Sequence, residues 1–248
     1  MDYTYSSYEN LIETLICNGY KPIRFCDVSD EIRQPAIIRH DVDMDLQKAE
    51  RMADLENRIG IRSTYFVLLS SEYYNIFSSK NMKSIQNILN CEHEIGLHFD
   101  IATYKNDLSL VDLKEKIGCE KSLMEKNFGI EIKSLSWHIP RKDLLGKHLE
   151  FLDELGGVLN AYDPYFYNGF KYVSDSMMRW REPLLEYVKE KKYNKLQILT
   201  HPIWYRNEQD MTAIEILEKN LQNKICLLSK YLDTIRPGFD QNRKFSSR

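Results

Sequence analysis

The sequence lacks several features that would set it apart from ordinary globular proteins. No apolar stretch approaches the roughly 20 residues that a transmembrane helix needs. Residues 1–10 have neither the basic nor the apolar part of a secretory signal. No long basic run is present and the net charge is -3, which argues against nucleic acid as a partner. We therefore expect a cytoplasmic protein without a membrane span.

Paired cysteines, repeats and linkers are also missing. The five cysteines are an odd number, lie far apart and form no C-x-x-C motif. This pattern predicts reduced, mostly buried thiols and fits a cytoplasmic location. With 248 residues and no internal repeat, low-complexity segment or convincing linker, the chain is predicted to form a single domain over residues 1–248.

The apolar periodicity predicts strands that alternate with helices. The predicted main strands lie near residues 36–41, 63–69, 94–99, 132–138, 158–161, 170–174 and 196–200. The predicted helices lie near residues 6–17, 46–59, 81–89, 110–128, 144–155, 184–191 and 212–232. Such alternation with short loops is typical of a parallel sheet that is closed, or nearly closed, into a barrel.

The stretch over residues 35–43 joins a short buried strand to a run of ionisable groups. In an extended chain, Asp41 and Asp43 lie on one side and His40 on the other. Two neighbouring carboxylates repel each other unless a cation or a shared proton lies between them. The simpler alternative is a strand end with solvated charges, followed by a helix whose first turn favours acidic residues.

Ionisable side chains also follow the carboxyl ends of the other predicted strands. The complete set is Asp41, Asp43, His98, Asp100, His138, Asp163, Asp175 and His201. In a barrel of parallel strands these ends meet at one rim. A single histidine at a strand end is commonly structural, but core packing does not readily explain six strands that each deliver such a group. We therefore predict an active site at this rim.

Four motifs resemble, in order and spacing, the polysaccharide deacetylase family (NodB homology, carbohydrate esterase 4). They are Asp41-Val42-Asp43, His93-Glu94-Ile95-Gly96-Leu97-His98, Asp175 with Trp180, and Leu199-Thr200-His201. The resemblance covers residues 37–201 and is greatest to a divergent branch associated with bacterial surface-polysaccharide gene clusters. It implies an α/β fold, a NodB-like distorted (β/α)7-type barrel of parallel strands. It also implies one divalent metal ion, with zinc the expected metal, and hydrolysis of an N-acetyl or similar acyl group on a sugar.

The resemblance also implies roles for individual residues. Asp41 matches the family's catalytic base, and Asp43 and His98 match two of its metal ligands. His201 matches the general acid that protonates the departing amine. Asp175 would orient that histidine and keep it protonated.

Two positions depart from the family pattern. The family's second metal histidine corresponds to Ala102, so the third ligand is either His138 or, as the alternative, Asp100. The family's arginine-proline motif is replaced by residues 137–141, Trp-His-Ile-Pro-Arg. The arginine that orients the base is therefore either Arg39 or Arg141.

Several residues near the strand ends are candidates for substrate binding. They are Arg39, Asp100, Trp137, Arg141, Trp180 and Arg181. The tryptophans, with Trp204, could stack against a sugar ring, although aromatic residues at strand ends are as often part of the core. His40 and His93 are interpreted as structural, and His148 falls within a predicted helix and receives no role.

These observations favour an enzyme that acts on an acylated sugar, nucleotide-sugar or oligosaccharide in polysaccharide biosynthesis. A different class remains open: a barrel relative that has lost metal and activity and serves as a carbohydrate-binding or assembly module, which Ala102 favours. A third possibility is a hydrolase of formyl or ring amides on the same barrel. The fold does not separate these substrates, whereas the metal content of the protein would separate the first two classes. The sequence leaves the oligomeric state open.

Overall fold

The computed structural model describes residues 2–105, 107–207 and 211–236. Its strands are β1 (Lys21–Ile23), β2 (Pro35–Val42), β3 (Thr64–Leu68), β4 (Glu94–Phe99), β5 (Ser134–Trp137), β6 (Leu159–Asn160), β7 (Lys171–Ser174) and β8 (Leu196–Thr200). Its α-helices are α1 (Tyr5–Cys17), α2 (Leu46–Ile59), α3 (Ser79–Asn90), α4 (Leu110–Phe128), α5 (Phe151–Glu154), α6 (Pro164–Gly169), α7 (Leu184–Lys189) and α8 (Ala213–Ile235). Strands and helices alternate along most of the chain, as predicted.

Seven of the strands form one continuous parallel sheet. Their order is β6-β5-β4-β3-β2-β8-β7, and each neighbouring pair is parallel. The short β1 adds to the amino-terminal part of β2, with Lys21 opposite Pro35. The sheet is curled, and because β6 and β7 are the two ends of the strand order, it forms an open barrel. The predicted fold class, an α/β distorted (β/α)7-type barrel of parallel strands, is confirmed.

Strand β2 lies in the middle of the sheet between β3 and β8. All eight of its residues are buried, which is typical of a parallel strand covered on both faces. Helix α2 follows at once, because the Asp45 carboxylate caps it by accepting from the backbone N–H groups of Gln47 and Lys48. The chain therefore turns sharply after β2, and the charged residues at the strand end stay at the barrel rim.

A glycine in β4 makes room for the aromatic packing inside the barrel. A Cβ atom added at Gly96 would lie 2.5 Å from Cε1 of Phe66 and 2.7 Å from Oγ of Ser134. The Phe66 ring in turn lies 5.1 Å from the guanidinium carbon of Arg39. Gly96 of the His-Glu-Ile-Gly motif therefore leaves the space that the Phe66 ring occupies. That ring in turn contacts Arg39 on the inner face of β2.

The prediction of a helix over residues 144–155 is wrong. The structure has a 3-10 turn over Lys142–Leu144, a loop, and only the short α5. Gly146 in that loop has φ +63°, which a helix does not accommodate. His148 lies in the loop and is exposed, with its ring nitrogens 2.8 Å from Asp163 and 3.1 Å from Asp153. Asp163 caps α6, a helix that the sequence patterns did not indicate.

The prediction of mostly buried thiols is also wrong. All five cysteines are free; Cys17, Cys119 and Cys226 are exposed, and Cys26 and Cys91 are half-buried. The three exposed cysteines lie on helices α1, α4 and α8.

The chain separates into two compact units, residues 1–209 and residues 210–248. The second unit contains α8, which begins with a capping box between Thr212 and Glu215. The single-domain organisation remains a prediction. Within the described ranges, no helix has the length and apolar character needed to cross a membrane.

Glu120 of α4 is a buried acid that should make stability depend on pH. Its side chain is 2% exposed, and one oxygen accepts a hydrogen bond from the Tyr104 hydroxyl at 2.7 Å. The other oxygen has no hydrogen-bond partner within the described part of the chain. Burial raises the pKa of Glu120 to about 7, although the Tyr104 bond opposes the shift. Because the folded state has the higher pKa, this group's contribution to stability is complete below about pH 4 and is lost as the pH rises through 7.

We therefore expect Glu120→Gln to unfold like the wild type at pH 4 and to be about 3 kcal/mol more stable at pH 8. Urea denaturation at the two pH values measures this difference. Glu115→Gln, at an exposed position of the same helix, is the matched control and should give no pH-dependent gain. An equal effect of Glu120→Gln at both pH values would contradict the prediction.

Candidate metal centre and active site

Three side chains from the ends of β2, β4 and β5 meet at the carboxyl-terminal rim of the barrel. Asp43 follows β2, His98 lies in β4 and His138 follows β5. Oδ1 of Asp43 is 3.2 Å from Nε2 of His98 and 3.4 Å from Nδ1 of His138. The two imidazole nitrogens are 3.3 Å apart. The three potential ligand atoms therefore form a nearly equilateral triangle, and they are the metal-type cluster found among the described residues.

The size of this triangle fits a tetrahedral metal ion. Zinc–nitrogen and zinc–oxygen bonds of about 2.0–2.1 Å at the tetrahedral angle separate two ligand atoms by about 3.3–3.4 Å. The observed separations of 3.2, 3.3 and 3.4 Å match this spacing. A catalytic zinc site has three protein ligands and one open position, and this cluster has that composition.

The hydrogen bonds around the triangle also call for a cation. Nδ1 of His98 is 3.1 Å from the Ser136 carbonyl oxygen, which can only accept, so Nδ1 carries a proton. In neutral His98 the Nε2 lone pair then points toward Asp43 and His138. Oδ1 of Asp43 is buried and lacks a hydrogen bond of good geometry. Electron pairs that face one another in a partly buried site need a cation or a proton between them, so these residues fit a metal ion of the kind that the sequence resemblance implies.

Charges in the triangle support one another. Burial alone would raise the pKa of Asp43, but the imidazoles of His138 and His98 hold it well below its ordinary range. The nearby Asp43 carboxylate in turn raises the pKa of His138, although burial opposes it. Asp43 is therefore a carboxylate under all ordinary conditions and attracts cations.

Asp41 lies beside the triangle and is bound by Arg39 from the same strand. The two residues point to one face of β2, and Arg39 donates to both oxygens of Asp41, at 3.2 and 2.7 Å. Burial raises the pKa of Asp41, but Arg39 outweighs this and lowers it. One oxygen of Asp41 is 3.7 Å from Nε2 of His98. Asp41 is thus an ionised carboxylate next to the metal-type cluster but outside it.

His201 approaches the same place from β8. Its ring Nδ1 is 2.6 Å from Oδ1 of Asp175, and its backbone N–H donates to both oxygens of that carboxylate. Its Nε2 is 3.8 Å from Oδ2 of Asp43. Burial alone would lower the pKa of His201, but Asp175 raises it to about 9. His201 is therefore protonated at neutral pH, with Nε2–H directed toward the site.

The two candidates for the third metal ligand have different environments. His138 belongs to the triangle. Asp100 lies outside it, because Oδ1 of Asp100 accepts from the backbone N–H of Ala102 at 2.9 Å and caps the 3-10 turn Ile101–Thr103. Ala102 itself is exposed in that turn. The geometry thus brings His138, and not Asp100, next to Asp43 and His98.

Two of the predicted substrate-binding residues, Arg39 and Trp137, are fully buried, and a third, Arg141, is half-buried and paired with protein groups. Arg39 is fully buried and pairs with Asp41, so of the two candidate arginines it is the one that contacts Asp41. Arg141 is engaged elsewhere, because it pairs with Asp143 and donates to the Leu108 carbonyl. Trp137 is fully buried and its indole N–H donates to Asn160. Assigning Trp137 as a stacking wall is therefore a wrong prediction, since a side chain without exposed surface cannot contact a sugar.

The loop after β7 carries the remaining candidates. Arg181 is exposed, and Trp180 is half-buried, with an indole N–H that has no hydrogen-bond partner among the residues described. Met177 and Met178 have φ values of +61° and +54°, which non-glycine residues rarely adopt. Such strain is typical of functional loops. Trp204 is 7% exposed and offers little surface for stacking.

Three further residues bind Arg39 or His40 of strand β2, and the sequence patterns did not indicate them. Ser136 and Gln197 both accept from the Arg39 guanidinium. Glu56 of α2 is fully buried and lies 2.9 Å from His40. The burial of Glu56 could have been predicted from the sequence. Glu56 lies three residues after Ala53 and four after Met52, so it shares the buried face of helix α2 with them.

The fold and the rim together define a class: an open parallel α/β barrel with a three-ligand metal-type cluster between a carboxylate and an imidazolium ion. Scans against protein-family models and against curated proteins found no match. Similar solved structures include a chitin deacetylase from Colletotrichum lindemuthianum, with 15% identity over 82% of this chain and 86% of that one and a TM-score of 0.49.

Two other similar structures are bacterial. A peptidoglycan deacetylase from Bacillus subtilis has 15% identity over 86% of this chain and 100% of that one, with a TM-score of 0.46. A carbohydrate esterase 4 pseudoenzyme from Bacillus anthracis has 12% identity over 85% of this chain and 65% of that one, with a TM-score of 0.46.

Proposed function

We propose that the protein is a metal-dependent hydrolase that removes an N-acetyl or similar acyl group from a sugar. The substrate would be an acylated sugar, nucleotide-sugar or oligosaccharide of polysaccharide biosynthesis. The observation that carries the proposal is the ligand triangle of Asp43, His98 and His138 between an ionised carboxylate and a protonated imidazole. A divalent ion, with zinc expected, would make a water more acidic there and polarise the acyl carbonyl.

The protein residues supply the proton transfers. Asp41 is kept ionised by Arg39 and can accept a proton from the attacking water as general base. His201 can give its Nε2 proton to the departing amine, because Asp175 holds the other ring nitrogen. Asp43 lies between the two groups, within 3.8 Å of His201. The arrangement therefore has a base and an acid that are already in the required protonation states at neutral pH.

We include a cytoplasmic location in the proposal, because five free cysteines, three of them exposed, suit a reducing compartment. A biosynthetic substrate built on a nucleotide or an oligosaccharide precursor fits that location. Trp180 and Arg181 on the loop after β7 are proposed as substrate contacts.

The protein is expected to be purified with about one divalent ion per chain and to release acetate from at least one acylated sugar. Elemental analysis measures the metal. Mass spectrometry after incubation with N-acetylated, O-acetylated and N-formylated sugars, including nucleotide-sugars and oligosaccharides, measures turnover. A chelator should abolish turnover and added zinc should restore it.

The same experiment addresses the second candidate, an inactive barrel that binds carbohydrate, which Ala102 favours because it replaces the family histidine. A protein of that kind would contain almost no metal, would take up none from added zinc, and would bind an oligosaccharide without changing it. That result would overturn the hydrolase proposal.

A further inference from the structure

A second polar cluster lies behind the site, on the opposite face of β2. His40 lies between Asp41 and the preceding Arg39 in sequence, but its side chain points away from theirs and is fully buried. Its Nε2 is 2.9 Å from Oε1 of Glu56, and its Nδ1 is 2.6 Å from Oγ1 of Thr200. The ring is stacked on Tyr65 with a centroid distance of 4.4 Å. Both ring nitrogens and one ring face of His40 are therefore held.

Glu56 anchors this cluster. Its carboxylate is fully buried, and it accepts hydrogen bonds from the hydroxyls of Tyr8, Ser63 and Tyr65 as well as contacting His40. Burial would raise the pKa of Glu56, but His40 and its other partners lower it to about 2. Since an ionised carboxylate can only accept, Nε2 of His40 carries a proton and donates it to Glu56. This fixes the ring orientation and directs Nδ1 at Thr200.

The bond between His40 and Thr200 lies at the point where two strands separate. His40 and Thr200 are partners in the register of β2 and β8, and theirs is the last pair of that ladder. Beyond this pair, Asp43 follows the end of β2 and His201 follows the end of β8. The side-chain bond is thus the final link between the two strands before they deliver a metal-type ligand and the imidazolium ion, whose facing atoms are 3.8 Å apart.

Thr200 also determines how His201 is presented. The peptide between them supplies the backbone N–H that donates to both oxygens of Asp175, at 3.0 and 3.1 Å. The ring of His201 is bound to the same carboxylate. Any rotation of this peptide would disturb the two kinds of bond to Asp175 together and would move Nε2 away from the site.

We infer that Glu56, His40 and Thr200 are positioning residues that hold His201 in place as the general acid. This inference rests on the proposed function. None of the three contacts the triangle, and they act through the backbone of β8. Loss of the Thr200 hydroxyl should therefore slow the chemical step without changing how metal or substrate binds.

Thr200→Val, which keeps the volume and removes the hydroxyl, tests this inference. We expect kcat to fall by about 10- to 100-fold, which is less than the roughly 10²- to 10⁴-fold that a general acid contributes, because His201 itself is retained. The KM for the best substrate and the Kd for zinc should stay within about 2-fold of the wild type, because no ligand contact is lost. Thr200→Ser keeps the hydroxyl and should restore kcat to within about 3-fold of the wild type, whereas a purely structural role would not separate the two variants in this way.

Thr64→Val is the matched control. Like Thr200, Thr64 is fully buried in a strand. Its hydroxyl donates to the Glu94 carboxylate at 2.7 Å, and it lies at the amino-terminal end of β3. It should lower the melting temperature and leave kcat unchanged. If Thr64→Val and Thr200→Val lose kcat equally, or if Thr200→Val behaves like Thr200→Ser, the positioning role is wrong.

A spectroscopic measurement separates this inference from the proposed function. The proton on Nδ1 of His201, in its 2.6 Å bond to Asp175, should give a low-field NMR resonance. Thr200→Val should shift or broaden that resonance, and Thr64→Val should not. A wild type that turns over no acylated sugar would overturn the proposed function, while an unchanged resonance in Thr200→Val would overturn the positioning role.

Discussion

Asp41→Asn is expected to lower kcat by at least about 10³-fold while the protein keeps its metal. The carboxamide has nearly the shape of the carboxylate and can still accept a hydrogen bond from Arg39, but it cannot take a proton from water. Asp41 lies outside the ligand triangle, with its nearest oxygen 3.7 Å from His98. Kinetics on the best substrate, together with elemental analysis of the same preparation, measures both effects.

Asp43→Asn is the companion variant, because it changes a carboxylate two residues away in the same way. It should lose metal and activity together, since Asp43 contributes the only carboxylate of the triangle. Circular dichroism would check that Asp41→Asn remains folded, because the variant leaves the buried charge of Arg39 without its partner. If Asp41→Asn empties the metal site, the roles of the two aspartates are reversed.

His138→Ala is expected to weaken zinc binding by well over 10-fold, because even residues that only support metal ligands cost about 10- to 100-fold when changed. The reason is geometric: the variant removes one of three atoms separated by 3.2–3.4 Å and leaves two ligands. Asp100→Ala is the matched control, since Asp100 caps a 3-10 turn nearby and should retain nearly wild-type affinity. Competition with a chromophoric chelator measures each Kd.

A second-site change makes this test sharper. Introducing the family residue by Ala102→His in the His138→Ala background would place an imidazole four residues after His98. Recovery of zinc affinity would show that the loop after β4 can follow the family's path and that His138 replaces the missing ligand. Zinc binding that survives His138→Ala but not Asp100→Ala would instead identify the carboxylate as the third ligand.

Much of the fold could be predicted because the strands are buried on both faces and the helices are amphipathic. The predicted bounds of α2, β4, α4 and β8 agree with those observed. The prediction failed over residues 144–155, where apolar residues at helical spacing serve a loop. There a glycine with positive φ and the bonds of His148 to Asp153 and Asp163 outweigh the periodicity.

The site was harder to predict wherever the face of a strand decided the outcome. Trp137 follows Ser136, and Ser136 accepts from Arg39 inside the barrel, so alternation turns Trp137 to the other face and into the core. Arg39 could be foreseen beside Asp41 from the same alternation, but its depth could not, because that depends on Gln197 and Ser136 from distant strands. The roles of the individual site residues remain predictions until the variants are measured.

The position of β2 between β3 and β8 has a consequence for the order in which the barrel forms. Asp43, His98 and His138 come from the first 138 residues, whereas the link between His40 and Thr200 joins residues 160 positions apart. Closing so long a loop is entropically costly and slow. During synthesis, the three residues of the ligand triangle are therefore made before β8, and His201 is made after them. A chain stalled before residue 196 would contain Asp43, His98 and His138 but not His201, the proposed general acid.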